Sequence, residues 1–403
     1  MKRKIEFNRF ILPFSNLVIP LGSLASGPVL ARGLGVENRG ALAAIMMVFL
    51  LTPVLLNFGQ QDMILVALKN GADDKFISSS FKFNLKVSSL NFVTALFFFC
   101  LIEYQNYQAI SWKCLLVLFV PVMHLMQIPR AMTIAKGDEH SVFVEKVLQV
   151  VTRFLSLLVL LYFEKLTVTS AILVHVVVVF ISSAFAFRGS IKLIFSMQFS
   201  KDVVKYSNPF NPNIWIFGVM IFLFGRMAQL LLVYRNENYL LGIFAVSQVF
   251  IDISQGVSSG FKVANFANRD LLIGKRQEVT KLFRQTLLLS ISIFLLIASL
   301  GNKVVAVLFG SEFLVEDLFI PILGLSVIPI FLLDFLVARH YNEVLRGKIL
   351  IPGAACLGIS MLAVLASLEL FGLVGLAFST TLSWFIALLP FFYITVRERH
   401  HSD

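Results

Sequence analysis

The chain has 403 residues, of which 58% are hydrophobic and only 14% charged, with a mean hydropathy of +0.86. Soluble domains carry about 25% charged residues, so this composition excludes a soluble globular protein and predicts a polytopic membrane protein. The formal net charge is +11, but Lys and Arg lie in short segments between apolar runs, so we expect a role in membrane orientation and no nucleic-acid partner.

The apolar runs predict about twelve membrane-spanning helices, since crossing a bilayer takes roughly 20 apolar residues. The connections between the runs are short, so no soluble domain is expected between the helices. The predicted spans are 10–31, 41–62, 84–102, 113–135, 145–163, 167–187, 212–233, 239–261, 286–309, 318–338, 348–368 and 372–395.

The distribution of Lys and Arg predicts the topology. With the N-terminus inside, 26 of the 34 Lys and Arg fall in inner segments, six fall in outer segments, and Arg153 and Arg226 fall inside spans. Inner loops of membrane proteins are enriched in these residues. We therefore predict that both termini are cytoplasmic, which requires an even number of spans.

Two short matching motifs indicate an internal repeat. The first span is followed by Glu37, Asn38 and Gly40, and the seventh by Glu237, Asn238 and Gly242. The two motifs follow the first and seventh of twelve spans, which divides the spans into two sets of six, an arrangement typical of transporters built from two repeats. We therefore predict two six-helix lobes, an N-lobe of residues 1–195 and a C-lobe of residues 196–403.

Several spans carry polar stripes that lipid cannot satisfy. The clearest is in the eighth span, where Gln248, Asp252, Gln255, Gly256 and Ser259 share one helical face. A charge at mid-membrane costs at least about 2.5–3.5 kcal/mol, so such groups line a wet cavity or pair with one another. For Arg153, Arg226 and Asp252 both alternatives remain open: lining a cavity, or an Arg–Asp pair that locks two helices.

The sequence shows no enzyme signature. It has no Ser-His-Asp spacing, no metal-ligand cluster, and no Gly-rich phosphate loop followed by Lys and Ser or Thr. We therefore expect no catalytic residue, no metal and no cofactor. Polar stripes inside a helical bundle favour transport over chemistry.

Three stretches carry a resemblance to a known family. They are Leu30-Ala31-Arg32-Gly33-Leu34-Gly35 with Gly40, the run from Val304 to Phe313, and Phe371-Gly372-Leu373-Val374-Gly375-Leu376-Ala377 with Ser379-Thr380-Thr381 beyond. In their order and spacing the chain resembles the Wzx-type polysaccharide flippases of the multidrug/oligosaccharidyl-lipid/polysaccharide exporter superfamily. One departure is Arg226-Met227-Ala228, where many relatives have Arg-x-Asp.

The resemblance implies two lobes around a central cavity and a substrate that is an undecaprenyl-diphosphate-linked oligosaccharide. It implies a bacterial inner-membrane protein that works by alternating access in O-antigen or related surface polysaccharide synthesis. Expected partners are membrane lipid, H+ or Na+ as a coupling ion, and a polysaccharide polymerase with its chain-length regulator.

On this hypothesis three sets of side chains take different roles. Arg32, Arg153 and Arg226 bind the diphosphate, since guanidinium groups match phosphate oxygens. The sugar contacts are Asn57, Gln60, Gln229, Gln248 and Gln255. Ion coupling or charge balance falls to Asp62, Asp252 and Asp334.

Two rival functions remain. One is an exporter of the same fold that carries drugs or the peptidoglycan lipid precursor. The other is a membrane-embedded polysaccharide polymerase. The longest outer segment, 301–317, has Lys303 as its only basic residue and no His, which disfavours a polymerase with catalytic Arg or His in an outer loop.

Overall fold

The computed structural model describes residues 2–60, 64, 67–68, 74–107, 117–196, 212–267 and 276–400. Within these ranges the backbone is almost entirely helical, with no strand. A helix satisfies its backbone N–H and C=O groups within the segment, which is the requirement that a lipid interior imposes on an apolar stretch. The predicted all-α polytopic fold is confirmed.

The helices follow the predicted apolar runs closely. In chain order they are α1 Lys2–Leu56, α2 Asp74–Tyr107, α3 Phe119–Leu125, α4 Gln127–Ala135, α5 Glu139–Tyr162, α6 Val168–Ala186, α7 Arg188–Ser196, α8 Pro212–Tyr234, α9 Asn238–Ala267, α10 Arg276–Leu308, α11 Phe319–Gly324, α12 Val327–Arg339, α13 Tyr341–Leu345, α14 Leu350–Ile386 and α15 Leu389–His400. A 3-10 turn, Ser311–Phe313, follows α10.

In the described part of the chain, eight helical segments are long and apolar enough to cross a membrane. Two of them, Phe14–Leu56 and Leu350–Ile394, each cover two predicted spans. The first is divided at Gly35, with φ 75°, and the second at Gly372, with φ 57°. Glycine lacks the Cβ that makes positive φ costly, so the chain can change direction there without a connecting loop.

The other two predicted spans differ from the eight for identifiable reasons. The fourth is divided between α3 and α4. The fifth is α5, which has 24 residues but carries Glu145, Lys146 and Arg153. These charged groups leave α5 outside the eight, although its 24 residues reach the length that a membrane span needs.

Prolines explain three of the helix interruptions. Two helices end four residues before a proline: α3 ends at Leu125, before Pro129, and α14 ends at Ile386, before Pro390. The third, α11, ends at Gly324, one residue before Leu325, which precedes Pro329 by four. Proline has no N–H, so the carbonyl four residues earlier receives no helical hydrogen bond, and the ring also crowds that carbonyl. Each interruption therefore begins where its proline removes the bond.

The chain divides into two compact units. Unit 1 consists of residues 1–22 and 41–215, and unit 2 of residues 23–40 and 216–403. The predicted lobe boundary between residues 195 and 196 stays a prediction. In unit 1, one apolar cluster joins α2, α4 and the segment after α1 through Ile64, Ile77 and Met132. In unit 2, α12 packs against both α9 and α10.

The two repeat motifs meet inside unit 2. A Cβ at Gly40 would lie 1.7 Å from the carbonyl oxygen of Asn238, and a Cβ at Gly242 would lie 2.1 Å from that of Val36. Both positions therefore require glycine, because either side chain would enter the opposite backbone. Small residues allow this close approach of helices in membranes, where van der Waals packing drives association.

Candidate functional site

Unit 1 encloses a cavity of about 340 Å³, which we call the unit 1 cavity. Its walls come from both ends of α1 and from α3, α4, α5 and α6, and apolar side chains such as Phe49 and Met126 cover much of them. The polar side chains in the walls are Gln127, Arg130, Glu145, Gln149, Arg153, His175 and Ser183. A cavity with polar walls inside an apolar bundle provides a place for a charged or hydrogen-bonding ligand.

Glu145 organises one side of this cavity. Its side chain is almost fully buried, at 2% exposed; Oε2 lies 2.5 Å from Nη2 of Arg130, and Oε1 accepts a hydrogen bond from Oγ of Ser183 at 2.8 Å. The carboxylate thus cancels the charge of Arg130 and joins α5 to both α4 and α6. With Arg153 as the second guanidinium, the cavity walls carry one more positive than negative charge.

Lys146, the neighbour of Glu145 in sequence, bonds to the first part of α1. Its Nζ donates to Oδ1 of Asn16 at 2.8 Å and to Oγ of Ser15 at 3.3 Å. The cation therefore anchors α5 to the first part of α1. Gly22 lies against Val150 on the same pair of helices, where an added Cβ would come within 2.2 Å of the valine side chain.

Unit 2 holds a second polar group, the Arg226 cluster, made of Arg226, Gln229, Gln248 and Asp252. Nη2 of Arg226 lies 2.7 Å from Oδ1 of Asp252, and its Nη1 donates to Oε1 of Gln229 at 3.0 Å. Nε2 of Gln248 donates to the same Asp252 oxygen at 3.4 Å. The four side chains join α8 to α9, and the opposite charges cancel.

The structure thus brings four of the sequence-predicted site residues into one hydrogen-bonded cluster. Of the two alternatives for the charged residues, Arg226 and Asp252 adopt the Arg–Asp pair, whereas Arg153 lines a cavity. Asp252 supplies on α9 the negative charge that the Arg226-Met227-Ala228 sequence lacks.

Other predicted residues lie apart from these two groups. Arg32 donates from Nη2 to the carbonyl oxygen of Val307 at 2.5 Å, and Asp334 accepts from Oγ of Ser258 at 2.7 Å. Gln255 lies beside Gly225, with Nε2 3.7 Å from where a Cβ would be. Asn57 and Gln60 follow Leu56 at the end of α1 and are not among the residues that line the cavity. Asp62 lies outside the described residues.

Sequence reasoning assigned Arg153 to the site but missed Arg130, Glu145, Gln149 and His175. A signal for most of them exists, because Gln127 and Arg130 belong to a polar stripe of the fourth span and Gln149 and Arg153 to one of the fifth. Glu145 stands at the predicted start of its span, where solvation at the interface is the simpler interpretation. Among the described residues, no group of three or more His, Cys, Asp or Glu is arranged to hold a metal.

Comparison with known proteins identifies the fold. No family model matches the chain, and no curated protein sequence does. Solved structures match along nearly its whole length. An outward-facing multidrug resistance MATE family transporter of the MOP superfamily gives a TM-score of 0.69 at 13% identity, covering 96% of this chain and 94% of that one.

Two further solved structures match the chain over nearly its whole length. A MOP superfamily transporter from Pyrococcus furiosus, described as having a binding pocket of reversed polarity, gives a TM-score of 0.67 at 11% identity, covering 98% of this chain and 96% of that one. The lipid II flippase MurJ in an inward closed conformation gives 0.62 at 13% identity, covering 97% of this chain and 86% of that one. The chain therefore has the fold of MOP superfamily transporters and flippases and is a multi-pass membrane protein.

Proposed function

We propose that this protein is a flippase that moves undecaprenyl-diphosphate-linked oligosaccharide repeat units across the bacterial inner membrane by alternating access. Its product is the outward-facing precursor of O-antigen or a related surface polysaccharide. The observation that carries the proposal is the excess positive charge of the unit 1 cavity, because it favours an anionic substrate. The fold shared with MOP transporters, among them a lipid II flippase, supports the transport class. The protein is not an enzyme on this proposal.

The chemistry of the cavity fits one end of such a substrate. A diphosphate carries negative charge, and a guanidinium presents donors in a planar fork that matches phosphate oxygens. Arg153 is the second guanidinium in the walls of the cavity, beside the Arg130–Glu145 pair, so the walls hold two arginines and one acid. Gln127 and Gln149 add amide groups to the same walls, and amides suit the hydroxyls of sugars.

The Arg226 cluster takes a different role. Asp252 is already bonded to Arg226, so it balances charge and does not carry a coupling ion in this state. Gln229 and Gln248 are largely buried and Gln255 lies on the same face of α9, which makes these three amides the proposed sugar contacts of unit 2. Asp334 remains the proposed site for H+ or Na+, because its carboxylate is partly exposed and accepts from a hydroxyl.

The energetics favour outward movement. An inside-negative potential contributes about 2.3 kcal/mol per charge per 100 mV, so an anionic headgroup is driven out of the cell without a coupled ion. Flipping in vesicles should therefore respond to the potential, with the termini of the protein on the cytoplasmic side. Transport that ignores both the potential and every ion gradient contradicts this part of the proposal.

The test is a clean deletion strain whose undecaprenyl-linked intermediates are extracted and whose surface polysaccharide is stained. We expect single complete repeat units on the carrier, confined to the inner face, and no polymer. Mass spectrometry of these units identifies the sugar. Single units exposed on the outer face would indicate a polymerase instead and overturn the proposal.

The same-fold exporter is the second candidate, because the matched structures include a multidrug transporter and a lipid II flippase. Deletion then leaves polysaccharide and its intermediates unchanged. Increased drug sensitivity in that strain favours a drug exporter, and loss of viability on depletion favours export of the peptidoglycan lipid precursor.

A further inference from the structure

α2 carries a buried polar face that the proposed transport role does not use. Ser80, Asn84, Ser88 and Asn91 recur at intervals of three or four residues, and each is at most 2% exposed. The opposite side of the helix exposes apolar residues such as Leu90, Val93 and Phe97. α2 therefore places its apolar side outward and its amides and hydroxyls inside unit 1.

The contacts of α2 fix which groups lie opposite this face. Oγ of Ser88 donates to the carbonyl oxygen of Pro121 at 2.8 Å, while Ile77 and Met132 belong to one apolar cluster. The α3–α4 segment therefore runs antiparallel to α2. His124, one turn after Pro121, lies at the level of Asn84.

The end of α1 is placed by the same reasoning. The rings of Phe58 and Phe83 are 6.4 Å apart, and Ile64 belongs to the apolar cluster with Ile77. Gln60 therefore lies at the level of Ser80 and Asn84. We call the resulting group of Gln60, Ser80, Asn84 and His124 the polar seam.

The polar seam holds many unsatisfied hydrogen-bonding groups. Both side-chain atoms of Gln60, both ring nitrogens of His124 and Oγ of Ser80 have no hydrogen-bond partner, and each residue is at most 1% exposed. Only Asn84 has a partner, since its Nδ2 donates to the carbonyl oxygen of Ser80 at 3.1 Å. Buried polar groups in folded proteins are almost always hydrogen-bonded, so five such atoms at one level of unit 1 favour a hydrogen-bonding ligand there.

We propose that the polar seam is a binding site for a small cluster of ordered water molecules. The unsatisfied groups include both donors and acceptors: an amide N–H2, an amide carbonyl, a hydroxyl and an imidazole. A cation satisfies only the acceptors, and an anion satisfies only the donors. Water both donates and accepts, and buried waters typically make about three such bonds each.

The site adjoins the unit 1 cavity through one wall. Met123, Met126 and Gln127 line the cavity. His124 is not among the lining residues, and Ile128, one turn further along the same segment, belongs to the apolar cluster with Ile77 of α2. The α3–α4 segment therefore separates bound water from the cavity. Hydrogen bonds to water can exchange partners as a helix shifts, so the wall can move without losing a fixed side-chain contact.

Radiolytic footprinting tests the proposal, because X-ray pulses convert bound water into hydroxyl radicals that oxidise the nearest side chains. We would irradiate the purified full-length protein in nanodiscs prepared in H2(18)O and measure oxidation by mass spectrometry. His124 should be labelled at least about tenfold faster than Phe99, which is equally buried on α2 and has a reactive ring. Equal, slow labelling of both residues overturns the proposal.

A variant sharpens the result. Gln60→Leu combined with Ser80→Ala replaces two partners by apolar groups, and labelling of His124 should fall about tenfold toward that of Phe99. Ser89→Ala is the matched control, because Ser89 lies on the same helix but on its exposed face. Unchanged labelling of His124 in the double variant overturns the assignment to these residues.

If the double variant does not fold, the comparison of His124 with Phe99 in the wild-type protein still tests the proposal. None of these measurements depends on the transported substrate.

Discussion

The two units place arginine in the same kind of position, inside a helical bundle, and use it differently. In unit 1, Arg130 is bonded to Glu145, and Arg153 adds a second positive charge to a cavity of about 340 Å³. In unit 2, Arg226 is bonded to Asp252 and Gln229, and Gln248 donates to the same oxygen of Asp252, which closes the cluster. The unit 1 cavity has two arginines and one acid, so it can receive an anion. The Arg226 cluster has one arginine and one acid, so it joins two helices.

The largest effect should follow from removing the cation of the cavity. Arg153→Gln should abolish surface polysaccharide while the protein remains in the membrane, because the diphosphate loses its charged partner. The double variant Arg226→Gln/Asp252→Asn keeps unit 2 neutral and should retain a measurable fraction of the polymer. Polysaccharide staining with immunoblotting of the membrane fraction measures both.

Lys165→Gln is the control for Arg153→Gln, since it removes a positive charge from an exposed residue shortly after α5. Normal polysaccharide in the Arg153→Gln variant would contradict the assignment of this arginine to the substrate.

The next effect is on stability and concerns the acid of the cavity. Glu145→Gln should lower the free energy of unfolding by about 3 kcal/mol, because Arg130 then lacks the negative charge of its buried partner. Denaturation in detergent micelles, followed by tryptophan fluorescence, measures the change. Glu164→Gln, which alters an exposed acid, should change stability by less than about 0.5 kcal/mol. Equal stability of the two variants would show that the Arg130–Glu145 pair is not structural.

A smaller loss is expected between α9 and α12. Ser258→Ala removes the hydroxyl that donates to Asp334, and hydrogen bonds to charged groups contribute about 1.5–3 kcal/mol. We expect the low end of that range, since Asp334 is partly exposed. Ser259→Ala is the matched control, because its hydroxyl bonds only to its own helix at Gly256. The same denaturation assay should separate the two, and indistinguishable midpoints would argue against the bond.

The smallest effect should come from the closed pair of unit 2. A double-mutant cycle on Arg226 and Asp252 should give a coupling energy of about 1 kcal/mol, since the two side chains are 18% and 33% exposed. The pair of Arg235 and Glu369, exposed by 37% and 59%, should give a coupling close to zero in the same assay. If the coupling energy of Arg226 and Asp252 is no larger than that of Arg235 and Glu369, the Arg226–Asp252 pair does not lock the two helices.

The sequence predicts the helices well because lipid allows few alternatives. An apolar run must form a helix, and glycines and prolines mark where it turns or breaks, as Gly35, Gly372 and Pro129 illustrate. The pairing of Arg226 with Asp252 was one of two open alternatives, since the acid and the base lie on neighbouring spans.

The unit 1 cavity could not be predicted from the sequence in the same way. Its polar residues come from several helices, and only the packing brings Arg130, Glu145 and His175 to one space. Glu145 stands near a span end, where the sequence cannot distinguish a solvated carboxylate from a buried one. The polar seam was hidden for a related reason: single Ser, Asn and Gln residues are common in membrane helices, and their convergence depends on helix register.

The contact between Gly40 and Gly242 has a genetic consequence. Every single-nucleotide change in a glycine codon that is not synonymous yields a residue with a Cβ or a stop, and here any Cβ would meet a carbonyl oxygen of the opposite backbone. At neither position, therefore, does a single-nucleotide change to another amino acid preserve the contact. A saturation library selected for folded protein should recover only synonymous codons at both sites, whereas at Gly189, where an added Cβ meets nothing within 4 Å, it should recover alanine and serine as well.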